Sequence, residues 1–331
     1  MQNRQIILGK LPQGKLTVDC FQTRETPIPI PGPGEVLLRT LYVPLDAASR
    51  AWMQGVTYRS GLQPGDIMAA TTLAEVVTSR SPLLAAGDIV LAETGWQTFT
   101  ALPAAEALKQ PDIVPHTHLL SVYGVPGLTA YFGLLECGRP KAGETVVISA
   151  AAGAVGMFAG QIARLHGCRT VGIAGGAAKT ALLTDRLGFD AAIDYKAGNL
   201  HDGLRRSCPN GIDVLFDNVG GDILAACLPH MAKQGRIVCC GAVSQYDTAS
   251  PPAAPAGIPG LLIVNSLTMR GFLLADFLHR QEQALTALTA WVAEEKLAVI
   301  EDLIAGFELL PAALVGLLAG KNTGKRIVQV T

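Results

Sequence analysis

Residues 145–167 read TVVISAAAGAVGMFAGQIARLHG: a β-type run enters a Gly/Ala turn and passes straight into an amphipathic helical stretch. Aligned to the G-x-G-x-x-G pattern, Ala151 takes the first position, Gly153 the second and Gly156 the third. In that pattern the second glycine lets backbone approach a pyrophosphate. The third lets helix and strand pack closely, while the helix N-terminus offers free N–H groups to anions. An ordinary small-residue strand-to-helix turn would look the same, so the surroundings decide. They contain Thr170–Ala174, Ala191–Asp194, Asp213–Phe216, Arg236–Cys240 and Thr268–Leu273, short β-type runs alternating with helical segments. With Thr145–Ser149 these make six, the pattern of a doubly wound parallel sheet.

The first ~120 residues have another texture, short apolar runs such as Glu35–Tyr42, Ala74–Thr78 and Asp88–Ala92 between turn signals, and are predicted to be β-rich. Beyond the sixth run, Asp276–Leu297 predicts one long amphipathic helix with Leu278, Leu285, Leu288, Trp291 and Val292 on its apolar face. Residues 311–320 predict a short helix, and 321–330 a turn leading into a strand that returns to the N-terminal unit. The proline-rich stretch 250–260 predicts a long loop.

Composition narrows the function. The chain has 331 residues, 26 Lys+Arg against 27 Asp+Glu, and a formal charge of −1, so no bulk field draws it to nucleic acid or an anionic membrane. Its stretches lacking charged residues are broken by Pro, His or an Ala/Gly cluster, which excludes a spanning helix. The opening MQNRQIILGK has too short an apolar run for a signal peptide, so the chain is expected to start there and to be cytoplasmic. Seven cysteines, at 20, 137, 168, 208, 227, 239 and 240, form no C-x-x-C and read as reduced packing thiols. His116 and His118 are the nearest approach to a ligand pair, and no metal is expected.

The choice between the two nicotinamide cofactors turns on the end of the second β-run, where an acid would bind the ribose 2′-hydroxyl. No Asp or Glu occurs between Thr145 and Thr184, whereas Lys179 follows Gly175-Gly176. A small-residue pocket with a cation favours a 2′-phosphate and hence NADP(H). A lone lysine solvated on the first turn of the next helix is the plainer reading.

Nine motifs in order along nearly the whole chain resemble the zinc-free medium-chain dehydrogenase/reductase superfamily, in its prostaglandin reductase and curcumin reductase branch. They are LYVPLD (41–46), GVPGLTAYFGL (124–134), AAAGAVG (150–156), GCRTVGIAGG with Lys179, DYK (194–196), FDNVGG (216–221), GRIVCCGAVSQY (235–246), MRGF (269–272) and GKNTGKRIV (320–328). The resemblance implies a GroES-like β-rich substrate domain, residues 1–122 with 291–331, and a Rossmann NADP-binding domain, residues 123–290. It implies NADPH-dependent reduction of the double bond of α,β-unsaturated ketones or aldehydes. The alternatives are a quinone reductase or allylic-alcohol dehydrogenase on the same scaffold, or a non-catalytic NADP-binding protein.

For the cofactor the resemblance implies Ala152, Gly153, Ala154 and Val155 at the pyrophosphate and Lys179 and Tyr195 at the 2′-phosphate. It places Asn218 and the loop Cys240, Gly241, Ala242, Val243, Ser244 and Tyr246 at the sheet's carboxyl edge, Phe272, Leu273 and Leu274 beside the nicotinamide, and Asn322 reaching in from the tail. Without the resemblance, Asn218 reads as a turn cap and Tyr195 as a buried aromatic. Tyr58 and Tyr246 fall in the implied substrate cleft and are candidates for orientation or proton donation, although either could be an amphipathic rim residue. The partners expected are a small-molecule enone or enal and a second copy in a homodimer, paired across an exposed sixth strand. Departures concentrate on the substrate side: Asp-Pro-Tyr of the relatives is Asp46-Ala47-Ala48 here, still followed by Arg50, and a glycine-rich stretch is replaced by MAATTLAEVV (68–77).

Overall fold

The computed structural model describes residues 2–249, 255 and 257–330. The strands are β1 (Asn3–Leu8), β2 (Phe21–Thr26), β3 (Glu35–Pro44), β4 (Thr71–Ser79), β5 (Ile89–Glu93), β6 (Phe99–Pro103), β7 (Leu108–Lys109), β8 (Thr145–Ser149), β9 (Arg169–Ala174), β10 (Ala191–Asp194), β11 (Ile212–Asp217), β12 (Met231–Cys239), β13 (Thr268–Gly271), β14 (Glu301–Ala305) and β15 (Lys325–Gln329). The α-helices are α1 (Ala48–Ala51), α2 (Val125–Phe132), α3 (Gly156–Leu165), α4 (Ala177–Asp185), α5 (Leu200–Ser207), α6 (Gly221–Cys227), α7 (Ile258–Asn265), α8 (Gln281–Ala293) and α9 (Leu310–Leu318).

Strands β8–β13 form one parallel sheet in the order β10-β9-β8-β11-β12-β13. This is the doubly wound arrangement, in which chain direction around the sheet reverses between β8 and β11 and leaves a crevice at the strands' carboxyl ends. Side chains of β8 explain why it reads as unbroken apolar sequence. Val146 and Ile148 enter the core beneath α2, α3 and α8, while Val147 enters the core on the opposite face. Each such fully buried aliphatic contributes about 1.5–3 kcal/mol.

A second large sheet has the order β14-β15-β3-β4-β5-β7, with β6 also pairing β3, and β1 and β2 form a two-stranded antiparallel sheet of their own. β15 runs antiparallel to β3 through Ile327, Val328 and Gln329, so the tail does return to the N-terminal unit. Leu310 and Leu314 of α9 share that unit's core with Trp96, Phe307 and Val328. Among the described residues no helix is long and apolar enough to cross a membrane.

Three local expectations change. The long helix begins as a 3-10 turn over Leu274–Arg280, and only then becomes α8. Three residues per turn bring Phe277 inward, stacked 5.1 Å from Phe132, and leave Leu278 exposed rather than on the apolar face. α8 runs through Ala293 and packs with Leu297 on the core of the parallel sheet, so a division at 290/291 would fall within it. The expected loop 250–260 ends in helix, because Pro259 sits in the first turn of α7 where its missing N–H costs nothing. Residues 250–254 and 256 lie outside the described residues.

Candidate functional site

The crevice at the carboxyl ends of β8 and β11 gathers most of the cofactor residues expected from sequence. After β8 the chain turns through Ala150, at φ +47°, and the N–H of Ala151 is tied to the Ile173 carbonyl at 3.0 Å. The left-handed position therefore falls on Ala150, one residue before the expected first fingerprint position. Gly156 has the packing role expected of the third glycine: a Cβ there would lie 2.4 Å from the Ala150 oxygen. At Gly153 a Cβ would meet only that same oxygen, at 3.1 Å. Backbone at 153–155 thus remains open ahead of the N-terminus of α3, whose dipole and free N–H groups fit a pyrophosphate. Ala152 is buried, and its carbonyl accepts from the Gly324 N–H at 2.8 Å, which docks the tail on this turn. The Asn322 amide donates to the Gly324 carbonyl at 3.0 Å and so shapes the docking turn itself.

At the end of β9, Gly176 has φ +97° and donates its N–H to Asp194 Oδ1 at 2.9 Å. A Cβ on Gly175 would lie 2.9 Å from both the Tyr195 ring and the Lys196 side chain, so both cover this turn. Tyr195 is exposed, which corrects its reading as a buried aromatic; the strand ends at Asp194 and releases the ring to the surface. Lys179 Nζ donates to the Gly320 carbonyl at 2.8 Å. Partial burial and the neighbouring cations Lys196 and Arg326 push its pKa below the usual lysine value. Arg326 is already engaged by Asp302 at 2.7 Å, leaving Lys179 and Lys196 as the cations available to an anion here. Lys196 escaped the sequence reading, although it lies in the DYK motif.

Asp217 also escaped it. Its buried carboxylate accepts from Ser149 Oγ at 2.6 Å and from the N–H groups of Val219 and Gly220 at 3.0 and 2.9 Å. Burial raises its pKa against the pull of those three hydrogen bonds. Its main-chain oxygen accepts from Cys240 and Gly241. Asn218 donates through Nδ2 to the Ser149 carbonyl at 2.7 Å, a cross-strand link instead of a cap on its own turn. Val243 and Ser244 bond back to the carbonyls of Asn218 and Val219, so the loop after β12 is built on the turn after β11. The Ala242 N–H donates to the Tyr246 hydroxyl at 3.2 Å, and burial drives the Cys240 thiol up to about 12.

After β13 the ring of Phe272 turns away from the crevice: it lies over Gly133, where a Cβ would come within 2.4 Å of it, and edge-on to Phe277 at 6.1 Å. Only its main chain and the residues following, Leu273 exposed and Leu274 packed on the core, can border a ligand.

From the other unit, Trp52 Nε1 donates to the Tyr58 hydroxyl at 3.2 Å, and the Arg59 guanidinium lies 4.5 Å over the Trp52 ring. Tyr58 is 62% exposed overall. Desolvation around its phenol and the nearby Asp46 and Tyr246 raise its pKa, although the Trp52 bond opposes them. Asp46 pairs with Lys325, a buried lysine that also donates to the Leu45 carbonyl at 3.1 Å. Tyr58, from the segment between α1 and β4, is thus within electrostatic reach of Tyr246, from the loop after β12. His116 and His118 lie in a 3-10 turn, and among the described residues no group of three or more His, Cys, Asp or Glu is placed to hold a metal.

Residues 4–110 match the family described as N-terminal domain of oxidoreductase, and residues 154–292 match the zinc-binding dehydrogenase family. The chain is 38% identical to the NADPH-dependent curcumin reductase of Escherichia coli over 99% of this chain and 97% of that one. It is 41% identical to prostaglandin reductase 1 of Bos taurus over 96% and 95%. The crystal structure of CurA in complex with NADPH from Vibrio vulnificus superimposes with a TM-score of 0.95 at 39% identity, covering 99% of both chains. A dinucleotide crevice at the reversal point of a six-stranded parallel sheet, with likeness of this extent, makes the chain a member of the medium-chain dehydrogenase/reductase superfamily, in the branch of the curcumin and prostaglandin reductases.

Proposed function

We infer that this protein uses NADPH to reduce the carbon–carbon double bond of α,β-unsaturated ketones or aldehydes. The observation that carries the reading is the crevice itself: an open phosphate turn, two cations at a β9–α4 turn whose one carboxylate, Asp194, is taken up by main-chain N–H groups, and Tyr58 from one unit within electrostatic reach of Tyr246 from the other. It occurs in a chain similar over its full length to an NADPH-dependent curcumin reductase. Ala152–Val155 hold the pyrophosphate, and Lys179, Lys196 and Tyr195 hold the 2′-phosphate. Asn218 and the 240–246 loop bind the nicotinamide half, with the main chain at 272–274 bordering it and Asn322 shaping the tail that closes the turn. The cofactor supplies a hydride for the β-carbon of the substrate.

What remains for the protein is to orient the enone and stabilise the oxygen on which charge develops. Tyr58 suits this, because a phenol is protonated at neutral pH and its oxygen, which accepts from Trp52 Nε1, leaves its O–H free to donate. Tyr246 already accepts one hydrogen bond on its oxygen, which leaves its O–H free to donate. Two units, 1–122 with the tail beyond Leu297 and the parallel-sheet unit through Leu297, provide the two sides of this cleft.

A homodimer belongs to the same reading. β13 leaves one edge of the parallel sheet unpaired among the described strands, and α7 beside it presents Ile263 and Val264, 77% and 75% exposed. A free parallel edge flanked by aliphatic surface fits a second copy related by a two-fold axis.

Mixing the purified protein with NADPH and a panel of enones, enals and quinones, or with NADP+ and allylic alcohols, and following nicotinamide absorbance, tests the proposal. Turnover of enones or enals is expected. Turnover of quinones alone would replace the reading with the quinone reductase, and tight NADPH binding with no turnover would favour a non-catalytic protein.

A further inference from the structure

The loop that carries Tyr246 is fastened to the opposite unit by side chains that play no part in the proposed cofactor contacts. Asp247 Oδ1 accepts from the Leu16 N–H at 2.6 Å and from Arg50 Nε at 3.2 Å. Arg50 is 2% exposed and passes a second bond from Nη2 to the Gly14 carbonyl at 2.7 Å. One turn on, the Gln54 amide donates to the carbonyls of Tyr246 at 2.9 Å and Gln245 at 3.3 Å. A Cβ on Gly14 would stand 3.8 Å from that of Ala249. The two units therefore meet at both ends of the crevice, through main chain at the pyrophosphate turn (Gly324 to Ala152) and mostly through side chains at the loop after β12.

These two attachments differ in kind. The first is continuous with β15 and its sheet. The second leaves Arg50 Nη1 buried with no hydrogen-bond partner among the described residues, and an unsatisfied buried guanidinium N–H makes this attachment the weaker of the two.

We propose that Arg50 and Asp247 form a latch between the two units that holds the 240–247 loop in its nicotinamide-binding position, so that these two side chains set the affinity for the nicotinamide half of the cofactor. Both are positioning residues: they act through the loop, not on substrate. The proposal rests on the NADPH-dependent reading above. It predicts that the latch affects the nicotinamide half and not the adenine half, because β8–β10 carry the adenine side and β11–β13 the nicotinamide side of a doubly wound sheet.

The test compares binding of NADPH with that of 2′,5′-ADP, which fills only the adenine side, in Asp247→Ala, Asp247→Asn and wild type. Asp247→Ala should raise the NADPH Kd roughly tenfold, the loss expected for hydrogen bonds to a charged partner, and leave 2′,5′-ADP within about twofold. Amide exchange over 241–247 should quicken in the unliganded protein. Asp247→Asn, whose amide oxygen still accepts from Leu16 and Arg50, should recover most of the affinity. Unchanged NADPH affinity and loop exchange in Asp247→Ala would overturn the latch, and so would equal weakening of both ligands, which marks a general loosening. Should Asp247→Ala fail to fold, Gln54→Ala removes only a surface amide and is held to the same two outcomes. If the wild type bound neither ligand, the functional reading would fall, while loop exchange in the variants would still decide the latch.

Discussion

Replacing Lys179 with Ala is expected to raise the KM for NADPH roughly tenfold or more and to leave NADH rates nearly unchanged, since alanine cannot make the lysine's charge-assisted hydrogen bond to the 2′-phosphate. Steady-state kinetics with both cofactors measures it, and Lys196→Ala should act in the same direction. A NADH preference in the wild type would remove the basis for both. Gly156→Ala should cost about 1–3 kcal/mol by overpacking, because its Cβ would lie 2.4 Å from the Ala150 oxygen; the midpoint of chemical denaturation reads this. Of these residues, Lys179 and Gly156 were legible in sequence, one as a cation after two glycines and the other by motif spacing. Asp217 and Lys196 were not: the turn after Asp217 is local, but its bond to Ser149, 68 residues earlier on β8, forms only in the folded sheet.

At the level of elements, the β9–α4 turn depends on Asp194. Hydrogen bonds from the Gly176 and Lys196 N–H groups lower its pKa below the ordinary carboxylate value. A depressed folded pKa stabilises the fold fully above the unfolded value of about 3.9 and loses that contribution as pH falls through the folded value. The stability of wild type over Asp194→Asn should accordingly be present at neutral pH and vanish on acidification below about pH 4, as followed by thermal melts in a pH series. Strands were the easiest elements to anticipate, because β8, β9 and β11 are buried on both faces and read as continuous apolar runs. The start of α8 was harder. Phe277 and Leu278 are equally apolar, and only the Phe132 ring, 145 residues earlier in the chain, selects which one turns inward.

On the scale of the whole molecule, the unpaired edge at β13 and the aliphatic face of α7 give the homodimer a direct test. Ile263→Glu and Val264→Glu together should shift the sedimenting species from dimer to monomer, since a buried unpaired carboxylate is costly. A monomeric wild type would dismiss the proposal. Incubation with a strong chelator should leave turnover unchanged, consistent with the lack of a suitable ligand group among the described residues. Loss of activity that zinc restores would contradict it.

The chain's own residues determined the doubly wound sheet, the returning terminal strand and the cofactor's phosphate turn. Each depends on local periodicity and on glycines whose neighbours lie a few positions away. Tertiary structure alone decided how the cleft is finished. Arg50 meets Asp247, Asp46 meets Lys325 and Gly324 meets Ala152 across separations of roughly 170 to 280 residues. Polar groups so far apart leave no periodic trace, because each satisfies a hydrogen bond or charge that exists only once the two sheets have packed around the crevice.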